Sequence, residues 1–178
     1  MNTRSPGLSA QTQIWRKAGG EVASTIAVMN NPLVCPECRA TLQPGRACAD
    51  SFHMLAFWEL DHGLYDVHHL MVPSYHIQHP SLYSPEGLLQ AQQILIEFVE
   101  QGTTPQAMRR KLAAQVASNV RTAKITGTPE SHGSYARPMD WTWRVTDVEA
   151  AGLASYYNSV RTWAASIVAA LRQLDGPD

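Results

Sequence analysis

Cys35, Cys38 and Cys48 are the only three thiols in a chain of 178 residues, and they fall within fourteen consecutive positions. Cys35-Pro36-Glu37-Cys38 has the C-x2-C spacing of a tight knuckle. Nine residues then lead to Cys48, and Gln43-Pro44-Gly45 supplies a turn that brings the chain back. Three cysteines cannot all pair within one chain, so a disulfide framework is the weakest reading. A thioredoxin-like redox pair opens a helix in a strand–helix–strand context and works through a lowered thiol pKa. Here Arg39-Ala40-Thr41, the Pro-Gly turn and a third cysteine follow instead, without strand–helix alternation, so redox chemistry is disfavoured. A structural zinc ion takes four thiolate or imidazole ligands in a tetrahedron. The cysteines offer three, and the fourth has to be a histidine or an acid.

Histidine is a common metal ligand. The chain has seven, and six of them, His53, His62, His68, His69, His76 and His79, lie between positions 53 and 79. For any single one, a place on a helix surface or in a satisfied core is the ordinary fate. As a group they point to at least one ligand. His53 follows Cys48 at C-x4-H but shares its first helical turn or so. His68 and His79 are eleven apart, about three turns, and share a helix face; His69 and His76 share another. His76 and His79 are also neighbours at i, i+3. Helical geometry alone leaves the fourth ligand open.

The rest of the chain reads as helices. Residues 1–20 are a polar arm, and 21–34 suit one short helix ending at Asn30-Asn31-Pro32. Asp50 or Ser51 caps a helix with Phe52, Leu55, Ala56 and Leu60 on one face, stopped by Gly63. Leu64, Val67, Leu70, Met71 and Ile77 pattern a second helix to Pro80, with a kink expected at Pro73. Ser84 as N-cap, Pro85 at N1 and Glu86 in the first turn form the clearest helix start in the chain. Thr104-Pro105 repeats that start. Residues 122–145 are dense in glycine and proline and read as a long irregular loop or a short strand. Thr146-Asp147-Val148-Glu149 matches a capping box. A final helix carries Leu153, Tyr156, Tyr157, Val160, Trp163, Ala164, Ile167, Val168 and Leu171 at a 3.6-residue period. The expected fold is all-α: a single domain over 21–178, a helical bundle with a small N-terminal zinc knuckle or ribbon at 35–48 and one long irregular loop.

Composition narrows function by exclusion. Hydrophobic residues make up 44% and charged residues 16%, as in a globular chain, and the net charge of -1 lacks the basic excess of a nucleic-acid binder. Arg109-Arg110-Lys111 is a short basic run that reads as a solvated helix face. No apolar run approaches the roughly 20 residues that span a bilayer, so no membrane partner is expected. MNTRSPGLSAQTQIWRK has no apolar core of a secretory signal, so a cytoplasmic protein with reduced thiols is expected.

CPEC, Cys48 before an aromatic-rich helix, VHHLMVPSYHIQHPSLYSPEGL (67–88) and YARPMDWTWRVTDVEAAG (135–152) resemble a bacterial family known as a domain of unknown function. The resemblance runs from Cys35 to about Leu174, and Pro73 departs from the family pattern. It implies Cys35, Cys38, Cys48 and His68 as the ligand set, with His79 next. It implies no activity, because the family has none assigned.

Three functional classes follow. The first is a structural zinc site of the Cys3His type. The second is a metal-dependent hydrolase using the histidine cluster, with His76, His79 and Glu86 in reach of one another along the chain and a cleft lined by His69, His76 or His79; no H-E-x-x-H, G-x-S-x-G, Walker A or dinucleotide glycine pattern accompanies it. Gln78-His79-Pro80 reads more simply as a helix C-terminus whose imidazole meets free carbonyls. The third is a partner-binding or regulatory module. The MDWTW segment with Tyr135 would line its cleft, or the last helix would form a homodimer face wherever its apolar stripe exceeds what the bundle covers.

Overall fold

The computed structural model describes residues 33–117 and 131–174, all within one compact unit, Pro32–Asp178. The polar arm and the helix expected before position 33 lie outside the described residues, as does the first part of the long loop. Two short strands, β1 (Leu33–Val34) and β2 (Thr41–Leu42), pair antiparallel with Leu33 opposite Leu42 and Val34 opposite Thr41. The knuckle is the bend between them. Among the described residues six α-helices follow: α1 (Cys48–His62), α2 (His68–Gln78), α3 (Pro85–Glu100), α4 (Pro105–Ala117), α5 (Val145–Ala151) and α6 (Tyr156–Leu174). The all-α bundle with a small ribbon is thus the observed fold.

Several helix boundaries follow directly from the sequence. The Ser84 hydroxyl accepts the Gly87 N–H at 3.2 Å ahead of Pro85, and Thr104 does the same for Ala107 at 3.2 Å ahead of Pro105. Two starts differ from expectation. Helix α1 begins at Cys48, with Ala47 as its N-cap, because the Asp50 carboxylate reaches back to the Ala47 N–H at 2.7 Å. Helix α5 begins at Val145, because Asp147 reaches back to the Arg144 N–H at 2.8 Å. The box therefore closes on Asp147, and Glu149 is left to pair with Arg46 at 3.0 Å. Pro73 sits inside an unbroken α2, where its missing N–H leaves only the His69 carbonyl without its helical donor.

Helix α2 packs on α3 and α6, α1 packs on α5, and α5 packs on α6. Leu55, Met71, Leu95, Val145, Val148, Trp163 and Ile167 are fully buried where these faces meet. Most of the expected stripe of α6 is core: Tyr156, Val160, Trp163, Ala164, Ile167, Val168 and Leu171 are buried within the chain, whereas Tyr157 is half-buried and Leu153, in a 3-10 turn ahead of α6, is exposed. Helix α1 is rotated from the expected face. Cys48, Ser51, Leu55 and Glu59 point inward, while Leu60 is 70% exposed. A glutamate takes the core position because two side chains satisfy it. Tyr156 donates its hydroxyl to Glu59 Oε1 at 2.8 Å, and His68 Nδ1 meets Glu59 Oε2.

Residues 132–144 are irregular and contain no strand. Gln78, fully buried at the end of α2, anchors them: its Nε2 donates to the Trp143 carbonyl at 2.6 Å, and its Oε1 accepts the Trp163 indole N–H at 3.1 Å. Tyr135 donates to the Ile77 carbonyl at 2.8 Å, and its ring meets that of Trp141 edge-on at 5.8 Å. The aromatic segment pins the loop to the bundle.

Candidate metal centre

The knuckle is shaped by two backbone hydrogen bonds. The Cys35 N–H donates to the Ala40 carbonyl at 2.9 Å, and the Arg39 N–H donates to the Cys35 carbonyl at 3.1 Å. Together they bring the Cys35 and Cys38 side chains to one side of the turn. Cys48 arrives in the first turn of α1, where the positive end of the helix favours a thiolate. None of the three cysteines is in a disulfide.

His79 completes the group. The Sγ atoms of Cys35, Cys38 and Cys48 and a ring nitrogen of His79 all lie within 4.8 Å of one another, and all four residues are buried. Cys38 Sγ is 3.4 Å from Cys48 Sγ, and Cys35 Sγ is 3.6 Å from His79 Nε2. Zinc–sulfur bonds of ~2.3 Å and a zinc–nitrogen bond of ~2.0–2.1 Å give a tetrahedron with edges of roughly 3.6–3.8 Å. Two of the six donor separations are thus near the spacing a tetrahedral ion sets, and none of the others exceeds 4.8 Å.

The orientation of His79 has a local cause. Helix α2 ends with a tightened turn in which the His79 N–H donates to the His76 carbonyl, leaving the Tyr75 carbonyl free. His79 Nδ1 donates to that carbonyl at 2.7 Å, and the Tyr75 ring stacks on the imidazole at 4.2 Å. With Nδ1 donating there, Nε2 is the ring nitrogen that faces the thiols, where its lone pair would be free for a metal once the proton it shares with them is displaced, the arrangement usual for ligating histidines. The Gln-His-Pro triplet therefore does what its helix-terminal position suggested and also supplies a donor. Two further contacts brace the knuckle. Arg144 Nε donates to the Cys38 carbonyl at 2.8 Å, and Glu37 accepts the Ser81 N–H at 3.0 Å. Sequence reasoning missed Tyr75, Arg144 and Glu37, because nothing in local spacing marks a residue that acts through another residue's backbone.

The electrostatics of the group are those of donors crowded around too much potential negative charge. Hydrogen bonds from Cys38 and Cys48, helped by His79, outweigh burial and hold the Cys35 thiol below its usual range. Contacts with Cys35 and then Cys38, together with burial, push the Cys48 thiol up. Burial opposes protonation of His79, but Cys35, Cys38 and the Tyr75 carbonyl outweigh it and raise the imidazole to about 10. Three sulfurs at this spacing ionise together only with a cation among them.

The structure does not bring His68 to this group. Its side chain is 53% exposed, with Nδ1 against Glu59, at the opposite end of α2 from His79. His76 Nδ1 meets the Tyr83 hydroxyl at 2.8 Å, and the His69 ring lies edge-on to Phe98 at 4.7 Å. Glu86 is exposed at the start of α3. Among the described residues, Cys35, Cys38, Cys48 and His79 form the single group of three or more donors close enough to hold a metal ion, and His69, His76 and Glu86 do not assemble a second. No helix among the described residues is long and apolar enough to cross a membrane.

A family model described as a family of unknown function (DUF5946) matches residues 33–172, and the chain belongs to that family. The match takes in the ribbon, the four donors, α1 to α5 and all but the last two residues of α6. No curated protein and no solved structure matches the chain.

Proposed function

We propose, for this member of a family without an assigned activity, that Cys35, Cys38, Cys48 and His79 hold one zinc ion whose role is structural. The observation that carries the reading is the four buried donors, three sulfurs and an imidazole nitrogen, all within 4.8 Å of one another. Three sulfurs and one imidazole suit zinc among the common divalent ions, since magnesium and calcium prefer oxygen. Four protein ligands leave no open position for a water or a substrate, which favours a structural ion over a hydrolytic one.

The ion would clasp the ribbon to the bundle. Two donors come from the knuckle, one from the first turn of α1 and one from the end of α2. Without the ion, the two-residue strands rest on the Arg144, Glu37 and Arg46 contacts, since an isolated pair of such length is marginal at best. Three buried thiols outside any disulfide support a cytoplasmic location, where thiols stay available to a metal.

Metal analysis of the purified protein tests the proposal. About one tightly held zinc per chain is expected, lost in Cys38→Ser, with a lower Tm after chelation because metal binding is folding free energy. Less than about half an equivalent, or an undiminished zinc content in Cys38→Ser, overturns it.

A further inference from the structure

Arg39 is the only non-glycine residue at positive φ among the described residues, at 63°. Side chains enter this region at a cost, and glycine is its usual occupant. The backbone work at this position, the N–H donated to Cys35, is work glycine would do equally well. An arginine here instead projects an exposed guanidinium that has no hydrogen bond or ion pair among the described residues. A strained backbone that carries a charged side chain is a reason to ask what that side chain meets.

Beside it is a cleft of about 630 Å³, lined by Arg39, Arg46 and Arg144 together with Ser51, Thr146 and Asp147. The acids on this wall are already engaged within the chain. Asp147 accepts the Arg144 N–H, and Glu149 pairs with Arg46. Arg144 spends only its Nε, on the Cys38 carbonyl, which leaves its two terminal nitrogens. Arg39 and Arg144 thus bring unspent guanidinium donors to one cleft, in a chain whose net charge is -1. The forked donors of arginine match the oxygens of phosphate groups, and the volume is that of a small-molecule site. A long polyanion would call for a broader basic surface than this chain carries.

We infer that this cleft binds a small phosphate-bearing ligand, gripped by Arg39 and Arg144 with Arg46, held by Glu149, beside them. The site lies next to the zinc clasp but does not use the ion. Its strained arginine is retained for the ligand rather than for the fold.

Calorimetric titration of the full chain as purified, with pyrophosphate, citrate and a short single-stranded oligonucleotide as probes, tests this. Saturable pyrophosphate binding is expected, weakened at least about tenfold in Arg39→Gly and in Arg144→Gln by loss of charge-assisted bonds. Arg144→Gln also removes the brace on Cys38, so Arg39→Gly is the cleaner variant. Its zinc content should equal the parent's and its Tm should be no lower, because glycine relieves the backbone. Absence of saturable pyrophosphate binding by the parent overturns the inference, as does parent-like affinity in Arg39→Gly. Zinc loss in Arg39→Gly would make Arg39 a keeper of the knuckle and overturn its ligand role. Tighter binding of citrate or of the oligonucleotide than of pyrophosphate would overturn the assignment to a small phosphate.

Discussion

His68 and His79 occupy opposite ends of α2, and replacing each with alanine separates two kinds of destabilisation. His79 is 4% exposed and points Nε2 at the thiols. Losing a ligand should weaken zinc binding by at least the ~10–100-fold that outer partners of metal ligands cost. With zinc above its dissociation constant, that factor is about 1.4–2.8 kcal/mol of stability, or roughly 3–11 °C in Tm for a chain of this size. His68→Ala also destabilises, for another reason. It leaves the carboxylate of Glu59, 1% exposed, with the Tyr156 hydroxyl as its remaining partner. An underpaired buried acceptor costs about 1–3 kcal/mol, here eased by water entering the half-exposed space of the lost ring. The two Tm losses overlap, so the chelator distinguishes them. A strong chelator should lower the Tm of His68→Ala by as much as it lowers the parent's, and that of His79→Ala by less, since part of the zinc stabilisation is already gone. Thermal melts with and without chelator, alongside zinc content, make the comparison. A zinc-free His68→Ala beside a zinc-replete His79→Ala would refute the assignment of the fourth ligand and the packing behind it.

Two further outcomes follow from the packing. A Cβ at Gly133 would sit 3.1 Å from Leu88 Cδ2 and 3.1 Å from the Pro80 carbonyl oxygen, so Gly133→Ala should cost about 1–3 kcal/mol in denaturant unfolding; parent-like stability would show that the loop is not seated there. His69 is held below the ordinary histidine pKa, first by burial and then by Arg161 and His68, with Asp66 opposing. Its neutral form is therefore favoured in the fold, while the unfolded imidazole takes a proton near ~6.5. Stability from this group is present above that pH and is lost as the pH falls through the lower folded value. An NMR titration should place the His69 midpoint below that of an unfolded histidine; a midpoint at or above it would contradict the burial.

The thiol part of the candidate centre was legible because its donors are local: a knuckle and a Pro-Gly turn fix where Cys35, Cys38 and Cys48 can go. The helix starts at Ser84-Pro85 and Thr104-Pro105 were legible for the same reason, since a cap needs only its own first turn. The fourth donor was not. His68 and His79 share a face of α2 but sit about 16 Å apart along it, so the choice depends on which end of the helix docks on the knuckle. That docking is set by distant partners: Gln78 reaching Trp143 and Trp163, and Glu59 claiming His68 and Tyr156. The same buried glutamate misled the reading of α1. A face drawn through Leu60 follows hydrophobicity alone, and the chain turned it outward to satisfy a carboxylate. Arg144 illustrates the remaining gap: it reaches Cys38 across more than a hundred positions, a contact that no spacing rule reveals.

Zinc K-edge absorption spectroscopy of the purified protein would report the closed, sulfur-rich site itself, by counting the atoms around the ion. Three sulfur neighbours at ~2.3 Å and one nitrogen at ~2.0–2.1 Å are expected. Fewer than three sulfurs, or more than one light-atom ligand in the first shell, would contradict that closed site.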